Sequence, residues 1–269
     1  MNQIVIIIAG MHRSGTSLSG SLLEKSGLFI GEDLLSHGFD NKKGHFEDLE
    51  ILKIHEKDLN SKHLDTRGLK GAIKGNLKFE SFTNKAIDEF LLKRKHHLFW
   101  GWKEPRTTLY LQAWKQKLSH AKCIAIYRHY DEVEDSLMRR YRYKIEHGVG
   151  MSSTVRLKHV LLYPINVFIK KHEAYKAWYV YNKNILAYKK QYPKDVIIFE
   201  LNHFLGNYNN AILHVSKQFN TELKEIDIDN IFEKSLLKNK KSNRLKIRLF
   251  SKKKLDTVFS ELNDQALWM

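Results

Sequence analysis

Ile4-Val-Ile-Ile-Ile-Ala-Gly-Met-His-Arg-Ser-Gly-Thr-Ser17 decides how the rest of the chain is read. Ile4 to Ala9 is a β-branched apolar run, the composition of a strand buried on both faces. The run breaks at Gly10 and passes through a short polar loop. It re-emerges at Thr16-Ser17 into a helical pattern carried by Leu18, Leu22 and Leu23. Strand, glycine-bounded loop and helix start together predict an anion cradle. Loop N–H groups and the positive end of the helix dipole converge there on one spot.

Gly10-x4-Gly15 has the glycine spacing of a P-loop, but Thr16 stands where a nucleotide hydrolase carries the lysine that grips phosphates. The cation is instead Arg13, inside the loop. The segment Gly10 to Ser17 resembles the 5′-phosphosulfate-binding loop of sulfotransferases, enzymes that use 3′-phosphoadenosine 5′-phosphosulfate (PAPS). That resemblance implies donor contacts from Gly10, His12, Arg13, Ser14, Gly15, Thr16 and Ser17.

Composition bounds the answer. With 269 residues and 42% hydrophobic content, one α/β domain spanning 1–269 is expected. Its core covers about 3–220, followed by a basic, mainly helical segment over 221–269. The only cysteine, Cys123, lies in an apolar run, so no disulfide framework exists within the chain. The first 30 residues show no secretory signal and no apolar run reaches the roughly 18 residues of a membrane span. A cytoplasmic protein without a membrane span is expected. The net charge of +16 attracts anions in general: nucleotide, acidic sugar, anionic lipid or nucleic acid. Charge alone does not choose among them.

Along the chain, helices are predicted over Thr16–Ser26, Phe46–Leu59, Phe82–Lys93, Thr107–Leu118 and Asp131–Tyr143. A helical middle over Ser153–Gln191 is interrupted at Pro164. Further strands are predicted over Leu98–Lys103, Ala121–Tyr127 and Val196–Glu200. Short helices follow Asn209 and Asp229, with a last one near Leu255–Leu267. Gly31 to Gly44 and Arg67 to Gly75 read as turns and linkers. Strands alternating with helices predict a parallel sheet covered on both faces, with ligands at its C-terminal edge. The Gly10 loop, Lys103 to Arg106, and Arg128 all fall at that edge.

The other segments carry the same resemblance. Arg128-x7-Ser136 resembles the 3′-phosphate site of sulfotransferases, although His129-Tyr130 replaces the more common Asn-Pro or Asp-Pro. Gly101-Trp-Lys-Glu-Pro-Arg106 resembles a segment of bacterial sulfotransferases whose lysine points into the active site. Lys103 is thereby implied to stabilise the departing oxygen. Asn41-x-x-Gly-His-Phe-Glu47 resembles the acceptor-side segment, which makes Glu47 the implied general base, with Glu32 and Asp33 as the other nearby acids. Arg13, Lys103 and Glu47 are the implied catalytic residues. The implied fold is a three-layer sandwich, and the implied acceptor a carbohydrate or small-molecule hydroxyl.

Other features read more plainly. Tyr175-x-x-Trp-Tyr-x-Tyr181 sits at helical spacing and reads as core, or as a sugar-stacking wall. The 14 histidines show no metal-ligand spacing, and no metal is expected. The run Lys234 to Lys254 holds ten Lys or Arg and reads as a solvated face or as a flap over the donor. Two rival functions stay open: a P-loop kinase-like phosphotransferase, against which Thr16 speaks, and a basic nucleic-acid-binding protein, for which no recognition module is visible.

Overall fold

In a computed structural model, which describes residues 3–35, 45–70, 75–228 and 250–268, the run Ile4–Ala9 is strand β1. It pairs in parallel with β2 (Phe99–Lys103) on one side and β3 (Lys122–Tyr127) on the other. β4 (Val196–Glu200) then pairs with β3, giving the order β2-β1-β3-β4. Ile8 stands opposite Lys103 and Ile124, so β1 and β2 end within a residue of each other while β3 runs on to Tyr127. From β1 the chain runs out to β2 and returns past β1 to β3. A crevice opens where the order reverses, outside the C-terminal ends of β1 and β3.

Alternate residues of the strands enter two cores. Val5, Ile7, Ala9, Cys123, Ala125 and Tyr127 join the larger. It is built with α2 (Leu49–Ser61), α3 (Ser81–Arg94), α4 (Leu111–Lys117), α5 (Tyr130–His147), α7 (Tyr163–Gln191) and α10 (Lys252–Gln265). Ile6, Ile8, Ile124 and Ile126 join the smaller, beneath α1 (Thr16–Lys25), α8 (Leu201–Gly206) and α9 (Tyr208–Phe219). Burial on both faces is why the strands read as continuous apolar runs rather than alternating ones. Tyr175, Trp178 and Tyr181 of α7 are buried in the larger core, as the core reading expects.

Several boundaries shift, each for a local reason. The helix expected from Phe46 begins at Leu49. Asp48 accepts hydrogen bonds from the N–H groups of Glu50 (2.9 Å) and Ile51 (3.3 Å), making it the N-cap. Phe46, at φ +52°, lies outside the helix, so Glu47 sits on the extended approach rather than in the first turn. Thr107–Leu118 is a 3-10 turn, Pro105–Tyr110, followed by α4. The break in the helical middle comes at Leu162, between α6 (Ser153–Leu161) and α7. Pro164 falls in the first turn of α7, where its missing N–H costs nothing. The helix expected after Asp229, most of the basic run 234–254, Asn41 to Gly44 and part of the 67–75 linker lie outside the described residues.

Candidate active site

The loop after β1 is held open by close approaches that exclude side chains. Gly10 has φ +148°, and a Cβ there would lie 2.4 Å from the Ile126 carbonyl oxygen. Its N–H donates to Thr108 Oγ1 at 2.8 Å, tying the loop to the 3-10 turn after β2. Gly15 caps α1 at φ +90°, against the Leu201 side chain. Arg13 between them has φ +70°. Among the described residues no side chain caps the N-terminus of α1, and its first turn carries no acid. The Ser14 hydroxyl and His12 Nε2 are buried there with no hydrogen-bond partner among the described residues. Buried polar atoms left unmatched cost about 1–3 kcal/mol each. Hydroxyl, imidazole and helix N-terminus together suit an oxyanion.

Arg13 Nε donates to Ser136 Oγ at 2.9 Å, so the loop and α5 meet through these two side chains. Arg128 lies just past β3. Its Nε donates to Glu132 Oε2 at 2.7 Å, and its carbonyl accepts the Trp178 indole N–H at 2.9 Å. Of the Arg128-x7-Ser136 pair, Ser136 is thus bonded to the loop arginine, and Arg128 to Glu132 in the first turn of α5.

Lys103 closes β2 and is fully buried; its Nζ donates to Glu47 Oε1 at 2.9 Å. Burial pulls the ammonium below the ordinary lysine range, and Glu47 opposes that shift. Gly20 of α1 packs beside Lys103 and Phe46. A Cβ there would already touch the Lys103 Cβ at 3.4 Å and the Phe46 Cβ at 3.7 Å. Glu32 is exposed, 3.9 Å from Arg94, and Asp33 is exposed with its carbonyl accepting the Leu49 N–H. Of the three candidate acids, Glu47 is the one that meets Lys103.

Behind Lys103 lies a buried scaffold whose roles single-sequence reading did not assign. Glu104 accepts from Arg106 Nη1 (2.5 Å) and from His55 Nδ1 (2.6 Å). His55 Nε2 accepts the Trp114 indole N–H at 3.0 Å. That donor fixes the imidazole proton on Nδ1, facing Glu104. Burial works against the Glu104 charge, but Arg106 and His55 outweigh it and hold the carboxyl well below its usual range. Arg106 also donates to the Thr66 carbonyl at 2.6 Å. His12 feels the same surroundings: burial, then Arg106, drive its pKa well below that of a free imidazole, against the pull of Glu104. It is a neutral ring, edge-on to Tyr181 at 6.5 Å. The Glu-Pro-Arg turn and the recurring helix face bearing His55 were the available signals. Pairing them needed the fold.

Beside Ser136 a cavity of ≈ 120 Å³ runs between α5, α7 and residues 67–70. Arg67, Lys70, Arg140, Lys144 and Lys170 line it, with Glu173 the one acid among the described residues. Among the described residues no group of His, Cys, Asp and Glu is gathered as a metal site.

No protein-family model matches the chain, and no curated protein matches it in sequence. Among solved structures it is similar to the sulfotransferase domain from the curacin biosynthetic pathway. The TM-score is 0.55 at 14% identity, covering 100% of this chain and 99% of that one. It is also similar to the sulfotransferase domain from the Synechococcus PCC 7002 olefin synthase. There the TM-score is 0.52 at 15% identity, covering 97% and 95%. Identity this low speaks to the fold, and the parallel sheet, its helical layers and the matched lengths agree: this chain has the sulfotransferase fold.

Proposed function

We propose that the chain is a PAPS-dependent sulfotransferase that modifies an acceptor hydroxyl and leaves adenosine 3′,5′-bisphosphate. The observation that carries this reading is the buried Lys103–Glu47 pair against Gly20 of α1, a helix whose N-terminus no side chain caps among the described residues. Arg13 and the N–H groups of Ser14 to Ser17, with Gly10 and His12 shaping the loop, hold the 5′-phosphosulfate. Arg128 and Ser136 hold the 3′-phosphate, and the Arg13–Ser136 contact ties the two ends together. PAPS supplies the activated sulfuryl group: an acceptor O–S bond forms as the S–O bond to phosphate breaks. Glu47 takes the hydroxyl proton. Once it does, its hold on Lys103 weakens, and the ammonium is released to the phosphate oxygen carrying away the electron pair. The cations that line the cavity beside Ser136 favour an acceptor bearing an acidic group, such as an acidic sugar.

Thermal shift with adenosine 3′,5′-bisphosphate, AMP, ATP and GTP tests the donor. The bisphosphate is expected to stabilise most. Arg128→Ala is expected to cost it about 2 kcal/mol while leaving AMP nearly unchanged. Equal losses for both ligands remove Arg128 from the 3′-phosphate. Preference for ATP with magnesium favours the kinase reading. With positive charge supplied by Arg13 and Lys103, sulfate transfer is expected to persist in excess EDTA.

A further inference from the structure

Helix α6 is built inside out. None of its residues is buried, yet it is rich in leucine and valine. Its inward contacts are polar. Arg156 donates to the carbonyls of Ile145 (2.7 Å) and Glu146 (2.6 Å) at the end of α5, and Tyr141 bonds His159 at 2.8 Å. At the start of α7, Tyr163 stacks on Tyr141, and the Lys170 ammonium lies 4.5 Å from the Tyr141 ring centroid. The apolar side chains face water instead: Leu157 (59% exposed), Leu161 (71%), Ile165 (58%) and Ile169 (47%) recur every fourth residue across the α6–α7 corner. Val160, Leu162 and Phe168 widen the stripe. An apolar ridge fastened by polar contacts on its inner side is not a misplaced core. It is a surface built to be covered.

We propose that this corner is a membrane-attachment face, lying in the headgroup region of an anionic bilayer. The charge pattern selects that occupant. From His147 to His172 there is no Asp or Glu. Lys158 is exposed beside the stripe, and Arg156, Lys170 and Lys171 add positive charge around it while also held inward, on α5 carbonyls, the Tyr141 ring and Glu134. Basic side chains flanking an exposed apolar ridge are the pattern of an interfacial helix, with leucines entering the acyl boundary and cations meeting lipid phosphates. A second copy of the chain would set one molecule of net charge +16 against another. Among the described residues no helix is long and apolar enough to cross a membrane, so attachment is in the plane of the surface. Tyr141 and Lys170 line the cationic cavity as well as this corner, which places the cavity at the rim of the attachment face. The proposal stands independently of the reaction assigned above.

The test is co-sedimentation of the full chain with vesicles of phosphatidylcholine, with and without phosphatidylglycerol, beside L157Q/L161Q/I165Q. All three side chains are more than half exposed, so the variant keeps its core, and an unchanged melting temperature verifies this. The intact protein is expected to pellet with the anionic vesicles, and the variant to bind them about tenfold or more weakly. Failure of the intact protein to bind anionic vesicles overturns the proposal. Equal binding by both proteins, abolished by salt, also overturns it and assigns the attraction to net charge. A concentration-dependent dimer in analytical ultracentrifugation, lost in the variant, makes a second copy the cover and equally overturns it.

Discussion

Glu47 and Lys103 test the proposed chemistry most directly, because each is the other's counter-charge in a buried setting. Glu47→Gln keeps the shape and removes the proton acceptor. Turnover is expected to fall about 10²–10⁴-fold, with adenosine 3′,5′-bisphosphate affinity little changed. Glu32→Gln and Asp33→Asn are expected to stay near the parent rate, and a loss in either moves the base there. Because Glu47→Gln also leaves an uncompensated buried ammonium, it is expected to lower stability by about 3–5 kcal/mol. Replacing the pair by Glu47→Leu with Lys103→Met is expected to recover most of that stability and none of the turnover, which separates fold from chemistry. His12 adds a pH signature. Its folded pKa lies well below 6.5, so above that value both folded and unfolded states are neutral. As pH falls below 6.5 the unfolded chain takes up the proton first, and stability drops until the lower folded pKa is passed. A denaturant series from pH 6.5 downward is expected to show a shallower loss in His12→Asn than in the parent.

At the scale of elements, two glycines make opposite predictions. Gly101 lies in β2 where a Cβ would come within 2.0 Å of the Ile6 carbonyl oxygen. Gly101→Ala must therefore part β2 from β1 and shift Lys103 with it, at a cost of about 3 kcal/mol or more, measured by chemical denaturation. Gly20 lies inside α1 with ordinary clearance, and Gly20→Ala is expected to be neutral or to gain up to about 1 kcal/mol. The strands were legible because parallel strands buried on both faces are apolar throughout, and Val196–Glu200 is where the periodicity put it. The start of α2 was not. Phe46 continues the helical spacing of Leu49 and Leu52, while Asp48, where the helix is capped, looks like any other acid until its carboxylate is seen on the N–H groups of Glu50 and Ile51. The same limit hid the scaffold behind Lys103: His55 and Glu104 are 49 residues apart and meet only because α2 crosses the end of β2. Arg13 bonding Ser136, at a separation of 123 residues, is a contact no local pattern contains.

Over the whole molecule the net charge of +16 acts on rates before it acts on affinity. Association of adenosine 3′,5′-bisphosphate, followed by stopped flow, is expected to slow about tenfold as ionic strength rises from low to high. Dissociation should change less. The C-terminal helix belongs to this scale too. Leu255, Val258 and Leu262 are buried in the larger core, and Asn263 accepts from the Tyr127 hydroxyl at 2.7 Å at the end of β3. The strand order β2-β1-β3-β4 has a further consequence during synthesis. Ile4 pairs with Phe99 and Ile6 with Lys122, so β1 waits for partners about a hundred residues behind it. Until residue 103 has emerged, Ile4–Ala9 is a sticky ribbon with neither edge occupied, and until residue 127 has emerged the β3 edge stays open. A chain truncated before residue 103 holds every residue of the Gly10 loop but none of the Thr108, Ile126 and Leu201 backing that shapes it.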